Sequence, residues 1–101
     1  MITITASILT STGNRDAIIA LCAEHSARSR EEPGCIAHHI YADCEDASRL
    51  FFHEIWQDEA AVSAHFAVSD SLLFVKQLTA LVGMRPEITM YQSECMSPEA
   101  L

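Results

Sequence analysis

The apolar positions of the chain alternate in four segments and recur at helical spacing in three others. Alternation with a period of two is typical of a half-buried strand, whereas apolar residues at i, i+3, i+4 and i+7 indicate an amphipathic helix. The pattern therefore predicts the order β-α-β-β-α-α-β. The predicted strands are residues 1–9, 35–43, 50–56 and 86–94, and the predicted helices are residues 15–30, 58–66 and 69–83.

Residues 50–66 pass directly from a predicted strand into a predicted helix. Because side chains alternate along a strand, Phe52, Glu54 and Trp56 share one face. A carboxylate between two large aromatic side chains needs a partner, since burying it unpaired costs several kcal/mol. His65, on the apolar side of the following helix, is the nearest candidate in sequence. A Glu54–His65 pair inside an aromatic-walled hollow would indicate a small-molecule site.

Histidines in two other segments are candidates for the same site. In the first predicted helix, His25 continues the apolar stripe that begins at Ile18, which places it on the inward face. In the second predicted strand, His38 and His39 are adjacent and must point to opposite faces of the sheet. One face would hold His39 with Tyr41 and the other His38. The sequence leaves open which of the two faces the helices.

The predicted order of elements is that of the ferredoxin-like βαββαβ fold, an α+β class in which a four-stranded antiparallel sheet carries helices on one face. The other face also carries apolar residues, so a homodimer that packs sheet against sheet is expected to cover it. The chain has 101 residues, about the usual size of one domain. We predict a single domain over residues 1–95 and a loose tail over residues 96–101.

Composition narrows the choice of partners and of compartment. A net charge of −8, from 14 acidic residues against six Lys and Arg, offers no basic patch for nucleic acid. No apolar run approaches the roughly 20 residues that span a bilayer, and the N-terminus lacks a signal-peptide pattern. A soluble cytoplasmic protein with no membrane partner is therefore expected. The four cysteines lack C-x-x-C pairing and are expected to be reduced thiols.

Three segments resemble the antibiotic biosynthesis monooxygenase (ABM) domain family: residues 29–35 (SREEPGC), 54–61 (EIWQDEAA) and 64–66 (AHF). The resemblance extends from Ile2 to about Tyr91. It implies a dimeric α+β barrel of ferredoxin-like subunits, each with a pocket between sheet and helices. Family members include cofactor-free oxygenases acting on quinols and polyketide phenols, haem-degrading enzymes, and an isomerase of a phosphorylated signalling sugar.

The resemblance can be followed residue by residue. Trp56 matches a pocket tryptophan of the polyketide oxygenases, whereas Phe52 stands where those enzymes have a pocket asparagine. The haem-ligand histidine of the haem-degrading members corresponds to the neighbourhood of Val75, so haem ligation is not expected. His25, Glu54 and His65 resemble the polar set of the isomerase-like branch.

The function that these residues predict is a cofactor-independent monooxygenase oxidising a small aromatic or quinol-type molecule with dioxygen. Such an enzyme needs a base to form an electron-rich anion and an aromatic wall to exclude water, roles that suit His65 and its neighbours. Glu54 would orient His65 or stabilise its imidazolium. The catalytic candidates are His65, Glu54 and His25, and the substrate-binding candidates are Trp56, Phe52, His39, Tyr41, Phe66 and Phe74.

Other functions are open to the same residues. His25 and His65 could shuttle a proton in an isomerase of a small phosphorylated keto-sugar-like metabolite, with Arg28 or Arg30 receiving the phosphate. A non-catalytic dimer that binds a small molecule is a further alternative. A metal site built from His25, His39, His65 and Glu54 is disfavoured, because no H-x-H or H-x-x-x-H spacing supports it. No metal or other cofactor is therefore expected.

Overall fold

A four-stranded antiparallel sheet with three α-helices on one face forms the structure, a computed structural model that describes residues 1–101. The strands lie in the order β2-β3-β1-β4. This confirms the predicted α+β, ferredoxin-like class and each predicted strand and helix to within a few residues. The strands are β1 (Ile2–Leu9), β2 (Cys35–Ala42), β3 (Arg49–Trp56) and β4 (Glu87–Gln92), and the helices are α1 (Arg15–Ser29), α2 (Glu59–Ala67) and α3 (Ser69–Val82).

The alternation of side chains decides which face of the sheet is covered. In β1 the buried positions are the apolar ones, and Thr3, Thr5 and Ser7 lie on the opposite face. Their neighbours in β3 follow the register, because Ile4 pairs with Glu54 and Ala6 pairs with Phe52. The predicted inward set of β3 is therefore confirmed. Glu54 is buried together with its aromatic neighbours Phe52 and Trp56.

In β2 it is His38 that faces the helices, and His39 lies on the outer face with Tyr41. His38 pairs with Glu54, whereas His39 pairs with His53. A bulge between Cys35 and Ala37 shifts the register by one residue. An extra residue in one strand reverses the alternation, so Cys35 and His38 both reach the covered side although their spacing is odd.

The helix boundaries follow local capping signals in part. Asp58 caps α2, its side chain accepting the Ala61 N–H at 2.9 Å. The N-cap residue of α3 is Val68, which has no side-chain group to accept a hydrogen bond. Asn14 is the N-cap residue of α1, but its side chain makes other bonds. It accepts the Ser11 N–H and donates to the Leu81 carbonyl, which ties the start of α1 to the end of α3.

The apolar core consists of two clusters. The larger contains Ile8, Ile18, Phe52 and Leu78 among others, and the smaller consists of Ile2, Ile4, Trp56 and Val62. Polar side chains from α1, β2, β3 and α2 are buried with the core residues. Burial of polar groups is costly unless they have partners, so most of these side chains are hydrogen-bonded to one another or to the backbone.

The fourth strand is left uncovered on its helix side. Ile88 and Met90 pair with Ala6 and Ile4, and therefore point to the covered side, yet they are 52% and 54% exposed. The helices cover the other three strands more fully, and the space above β4 opens into a cavity lined by Ile88. None of the helices has the length and apolar character needed to cross a membrane.

Cys22 provides a test of the packing of α1. Its side chain is fully buried, and burial raises the pKa of its thiol to about 12. Because the thiolate is the reactive form, we expect iodoacetamide to label the exposed Cys44 and Cys95 in the native protein and to leave Cys22 unmodified until unfolding. Mass spectrometry of the labelled peptides measures this. Labelling of Cys22 as fast as Cys44 would contradict the packing of α1 against the sheet.

Candidate active site

Three histidines from three different elements meet in the interior. His25 comes from α1, His38 from β2 and His65 from α2, and all three are buried. Their ring centroids are 5.1 to 5.6 Å apart, and one nitrogen of each ring lies within 4.8 Å of the others. We refer to His25, His38 and His65 as the histidine cluster. The sequence indicated His25 and His65, whereas His38 was left undecided.

Glu54 lies beside the histidine cluster but does not have the partner that the sequence suggested. The indole N–H of Trp56 donates to Glu54 Oε1 at 2.9 Å, and His38 Nε2 lies 3.3 Å from the same oxygen. His38 rather than His65 is thus the imidazole partner, because the β2–β3 register places it directly opposite Glu54. Burial alone raises the pKa of Glu54, but contact with His38 and the Trp56 bond outweigh it and lower the pKa below its usual value.

His65 instead pairs with Glu32, which the sequence indicated only as part of the 29–35 segment. His65 Nδ1–H donates to Glu32 Oε1 at 2.8 Å, and the imidazole packs against the Trp56 indole with ring centroids 4.5 Å apart. This bond assigns the proton of the neutral ring to Nδ1 and leaves a lone pair on Nε2. Glu32 is 33 positions from His65. No local spacing could have revealed the pair.

His25 is held between an aromatic ring and a guanidinium. Its ring stacks on Phe74 with a centroid separation of 3.8 Å and an interplanar angle of 3°. Arg28 Nη2 lies 3.2 Å from His25 Nδ1, and since a guanidinium can only donate, the neutral ring carries its proton on Nε2. Burial, together with His38, His65 and Arg28, lowers the pKa of His25 to about 3. His25 is therefore a neutral N–H donor near pH 7.

A cavity of about 880 Å³ adjoins the cluster, and nine of its seventeen lining residues are hydrophobic. His25, Glu54 and His65 all line it. This size and this mixture of apolar walls with a few polar groups are typical of small-molecule sites. A smaller hollow of about 440 Å³, near the N-terminus, is lined mainly by polar residues and contains no histidine.

The structure brings most of the predicted site residues to this cavity. Phe52, Phe66 and Phe74 line it, and Lys76 and Arg85 lie at its wall without having been predicted. Trp56 is fully buried behind Glu54 and does not line the cavity. His39 and Tyr41 lie on the outer face of the sheet, away from the histidine cluster.

The bond between Trp56 and Glu54 can be tested by removing one N–H group. We expect Trp56→Phe to keep most of the apolar contact but to leave Glu54 without its best donor, which costs about 1–3 kcal/mol of unfolding free energy. Urea denaturation followed by circular dichroism measures the change. Tyr41→Phe is the matched control, since Tyr41 is exposed on the outer face. Equal stability of the two variants would show that the bond contributes nothing.

The structure is an α+β domain of the ferredoxin-like type with a histidine-lined cavity. Residues 1–77 match the antibiotic biosynthesis monooxygenase family, and the chain belongs to that family. This confirms the resemblance found in the sequence.

The chain is also similar to individual proteins. The chain is 35% identical over 92 residues to the uncharacterized protein sll1783 of Synechocystis sp., a match covering 90% of this chain but only 62% of that protein. A structure from Deinococcus radiodurans, named for the antibiotic biosynthesis monooxygenases, superposes with a TM-score of 0.90 at 19% identity over 96% of this chain and 97% of the other. The structure of protein SO0527 from Shewanella oneidensis superposes with a TM-score of 0.80 at 28% identity, over 89% of this chain and 87% of the other.

Proposed function

We propose that the protein is a cofactor-independent monooxygenase that oxidises a small aromatic or quinol-type substrate with dioxygen. Membership of the ABM family supports this class of reaction. The observation that carries the proposal is the Glu32–His65 hydrogen bond of 2.8 Å at the wall of an apolar cavity. A carboxylate that holds Nδ1–H leaves the other nitrogen as a base and stabilises the imidazolium once it forms.

The reaction begins with proton transfer from the acidic C–H or O–H of the substrate to His65 Nε2. The resulting anion transfers one electron to dioxygen, and the two radicals combine into a peroxide anion on carbon. His65 returns its proton to give the hydroperoxide. Loss of water then converts a CH₂ group to a carbonyl, so one oxygen atom is retained and the other leaves as water. All electrons come from the substrate, and no added reductant is needed.

The other cavity residues support two steps of this reaction. His25 stays neutral with its proton on Nε2, so it can donate a hydrogen bond to the oxygen on which the substrate anion carries its charge. Phe52, Phe66 and Phe74 exclude water from the radical pair. Glu54 does not contact His65 as the sequence suggested, and its proposed part is to hold Trp56 and His38 in place.

The test is oxygen consumption by the purified, chelator-treated protein with a panel of hydroquinones and anthrone-like phenols, followed with an oxygen electrode. We expect uptake with at least one ionisable member and formation of one carbonyl per dioxygen, measured by mass spectrometry with ¹⁸O₂. Absence of uptake across the panel, or uptake that also occurs with the heat-denatured protein, would contradict the proposal.

An isomerase of a phosphorylated keto-sugar-like metabolite is the second candidate. Lys76 and Arg85 line the cavity and could receive a phosphate. Arg28 and Arg30, the residues first suggested for this role, have other partners: Arg28 contacts His25 and Asp70, and Arg30 donates to the His38 carbonyl. Turnover of a phosphorylated keto-sugar under nitrogen would favour this function, because only the oxygenase requires dioxygen.

We further propose that two chains associate through the outer face of the sheet. Tyr41, Phe51 and Tyr91 are exposed there, and an open apolar sheet face generally requires a cover. We expect a dimer in size-exclusion chromatography with light scattering, and a shift toward monomer in Phe51→Lys. Leu81→Lys, a similarly exposed apolar site on α3 that does not line the cavity, is the matched control. A monomeric wild-type protein would rule out this dimer.

A further inference from the structure

The three imidazoles of the histidine cluster share one arrangement. Nδ1 of His25 faces Arg28 at 3.2 Å, Nδ1 of His38 is 2.8 Å from Ser26 Oγ, and Nδ1 of His65 is 2.8 Å from Glu32 Oε1. Each ring therefore has a polar partner at Nδ1, which leaves its Nε2 for another ligand. The Nε2 of His38 is buried, and its one polar neighbour, Glu54 Oε1 at 3.3 Å, does not have the geometry of a hydrogen bond. An orphaned buried nitrogen of this kind requires an explanation.

The separations suit a tetrahedral metal ion. Metal–nitrogen and metal–oxygen bonds of about 2.0–2.2 Å place neighbouring ligand atoms about 3.3–3.5 Å apart. The three imidazole nitrogens lie within 4.8 Å of one another, so the widest pair must close by no more than about 1.5 Å.

The surroundings have the character of a second coordination shell. Metal-bound histidines generally donate their other N–H to a carboxylate or another oxygen, which fixes the ring and raises its basicity. Glu32 and Ser26 occupy these positions for His65 and His38. The ligands come from α1, β2 and α2, so no short sequence spacing could have signalled the site. The metal-ligand set considered from the sequence contained His39, but in the structure His38 is the histidine of β2 that faces the helices.

We propose that His25, His38 and His65 bind a divalent transition metal ion, for which Zn²⁺ is the probe. Ligation by His25 through Nε2 moves its proton to Nδ1 and displaces Arg28. The guanidinium retains Asp70 at 3.7 Å and Glu24 at 3.8 Å, so this displacement leaves it paired. The site does not depend on the proposed oxygenase. A bound ion occupies the lone pair of His65 and therefore blocks its action as a base.

Isothermal titration of the chelator-treated full chain with ZnCl₂ tests the proposal. We expect one Zn²⁺ per chain and a loss of affinity of more than about 100-fold in His38→Ala, since loss of outer-shell partners alone typically costs 10–100-fold. His39→Ala is the matched control. His39 is next to His38 in the chain but pairs with His53 on the outer face of the sheet, where the two could hold metal adventitiously. No binding, or binding lost in His39→Ala and kept in His38→Ala, would overturn the proposal.

A second variant covers the case in which His38→Ala does not fold. Arg28→Gln removes a competitor for His25 and a positive charge next to the cluster, so we expect Zn²⁺ to bind about 10-fold more tightly, the effect typical of outer-shell changes. The visible spectrum of the Co²⁺ form reports the geometry, and we expect tetrahedral coordination. An unchanged Zn²⁺ affinity in Arg28→Gln would show that His25 is not a ligand, and an octahedral Co²⁺ spectrum would contradict the tetrahedral site.

Discussion

Replacing His65 with alanine is expected to lower kcat/KM for the oxidation of an ionisable aromatic substrate by about 10²–10⁴, the usual contribution of a positioned general base. One nitrogen of the imidazole is bonded to Glu32, and in the neutral ring the other carries a lone pair. Neither of the other two histidines is placed in the same way, because Arg28 occupies the acceptor nitrogen of His25 and His38 does not line the cavity. Steady-state oxygen consumption measures the change.

The effect can be separated from a general disturbance of the site. Glu32→Gln keeps the shape of the side chain but removes the charge that stabilises the imidazolium. We therefore expect a smaller loss, about 10–100-fold, chiefly in kcat. His39→Ala removes an imidazole from the outer face and should leave the rate unchanged. A His65→Ala protein with wild-type kcat/KM would exclude His65 as the base, whatever the substrate.

The largest effect on stability is expected at Gly34, between α1 and β2. Its φ of +82° is a conformation that costs an L-residue about 1–2 kcal/mol. A Cβ at this position would lie 2.5 Å from the Ala61 Cβ of α2, and overpacking of this kind costs about 1–3 kcal/mol more. We expect Gly34→Ala to lower the free energy of unfolding by about 2–5 kcal/mol, a large part of the 5–15 kcal/mol typical of such domains.

Two other glycines separate the backbone cost from the overpacking cost in the same denaturation experiment. Gly83 ends α3 with a φ of +85° and open space around it, so Gly83→Ala measures the backbone cost alone. Gly13 has neither a positive φ nor a close neighbour, and its replacement should change stability by less than about 0.5 kcal/mol. Equal losses at Gly34 and Gly83 would show that the contact with Ala61 is not tight.

The close approach at Gly34 also matters for the site. Gln57 donates its N–H to the Gly34 carbonyl at 2.8 Å, which joins the turn after α1 to the turn before α2. Glu32 lies two residues before Gly34, and His65 lies one helical turn beyond Ala61. The distance between Glu32 and His65 therefore depends on the absence of a side chain at residue 34. A folded Gly34→Ala protein should lose activity as well as stability.

Local patterns in the sequence determined the elements and much of the buried face. The period of two placed Phe52, Glu54 and Trp56 together, and the helical period placed His25 on the inward stripe of α1, as the structure confirms. Both periods arise from backbone geometry over a few residues, so they can be read without knowing the rest of the chain. The same patterns predicted the ferredoxin-like order, whereas the ABM resemblance came from the residues of three short segments.

The tertiary structure alone decided the partners of the charged and imidazole groups. The bulge near Ile36 selected His38 over His39, and the docking of α2 on the turn after α1 paired His65 with Glu32 rather than with Glu54. Such pairs join residues far apart in the chain, and their distances depend on strand register and helix placement. Neither quantity is encoded in the period of a single segment, which is why the sequence identified His25, Glu54 and His65 but not their contacts.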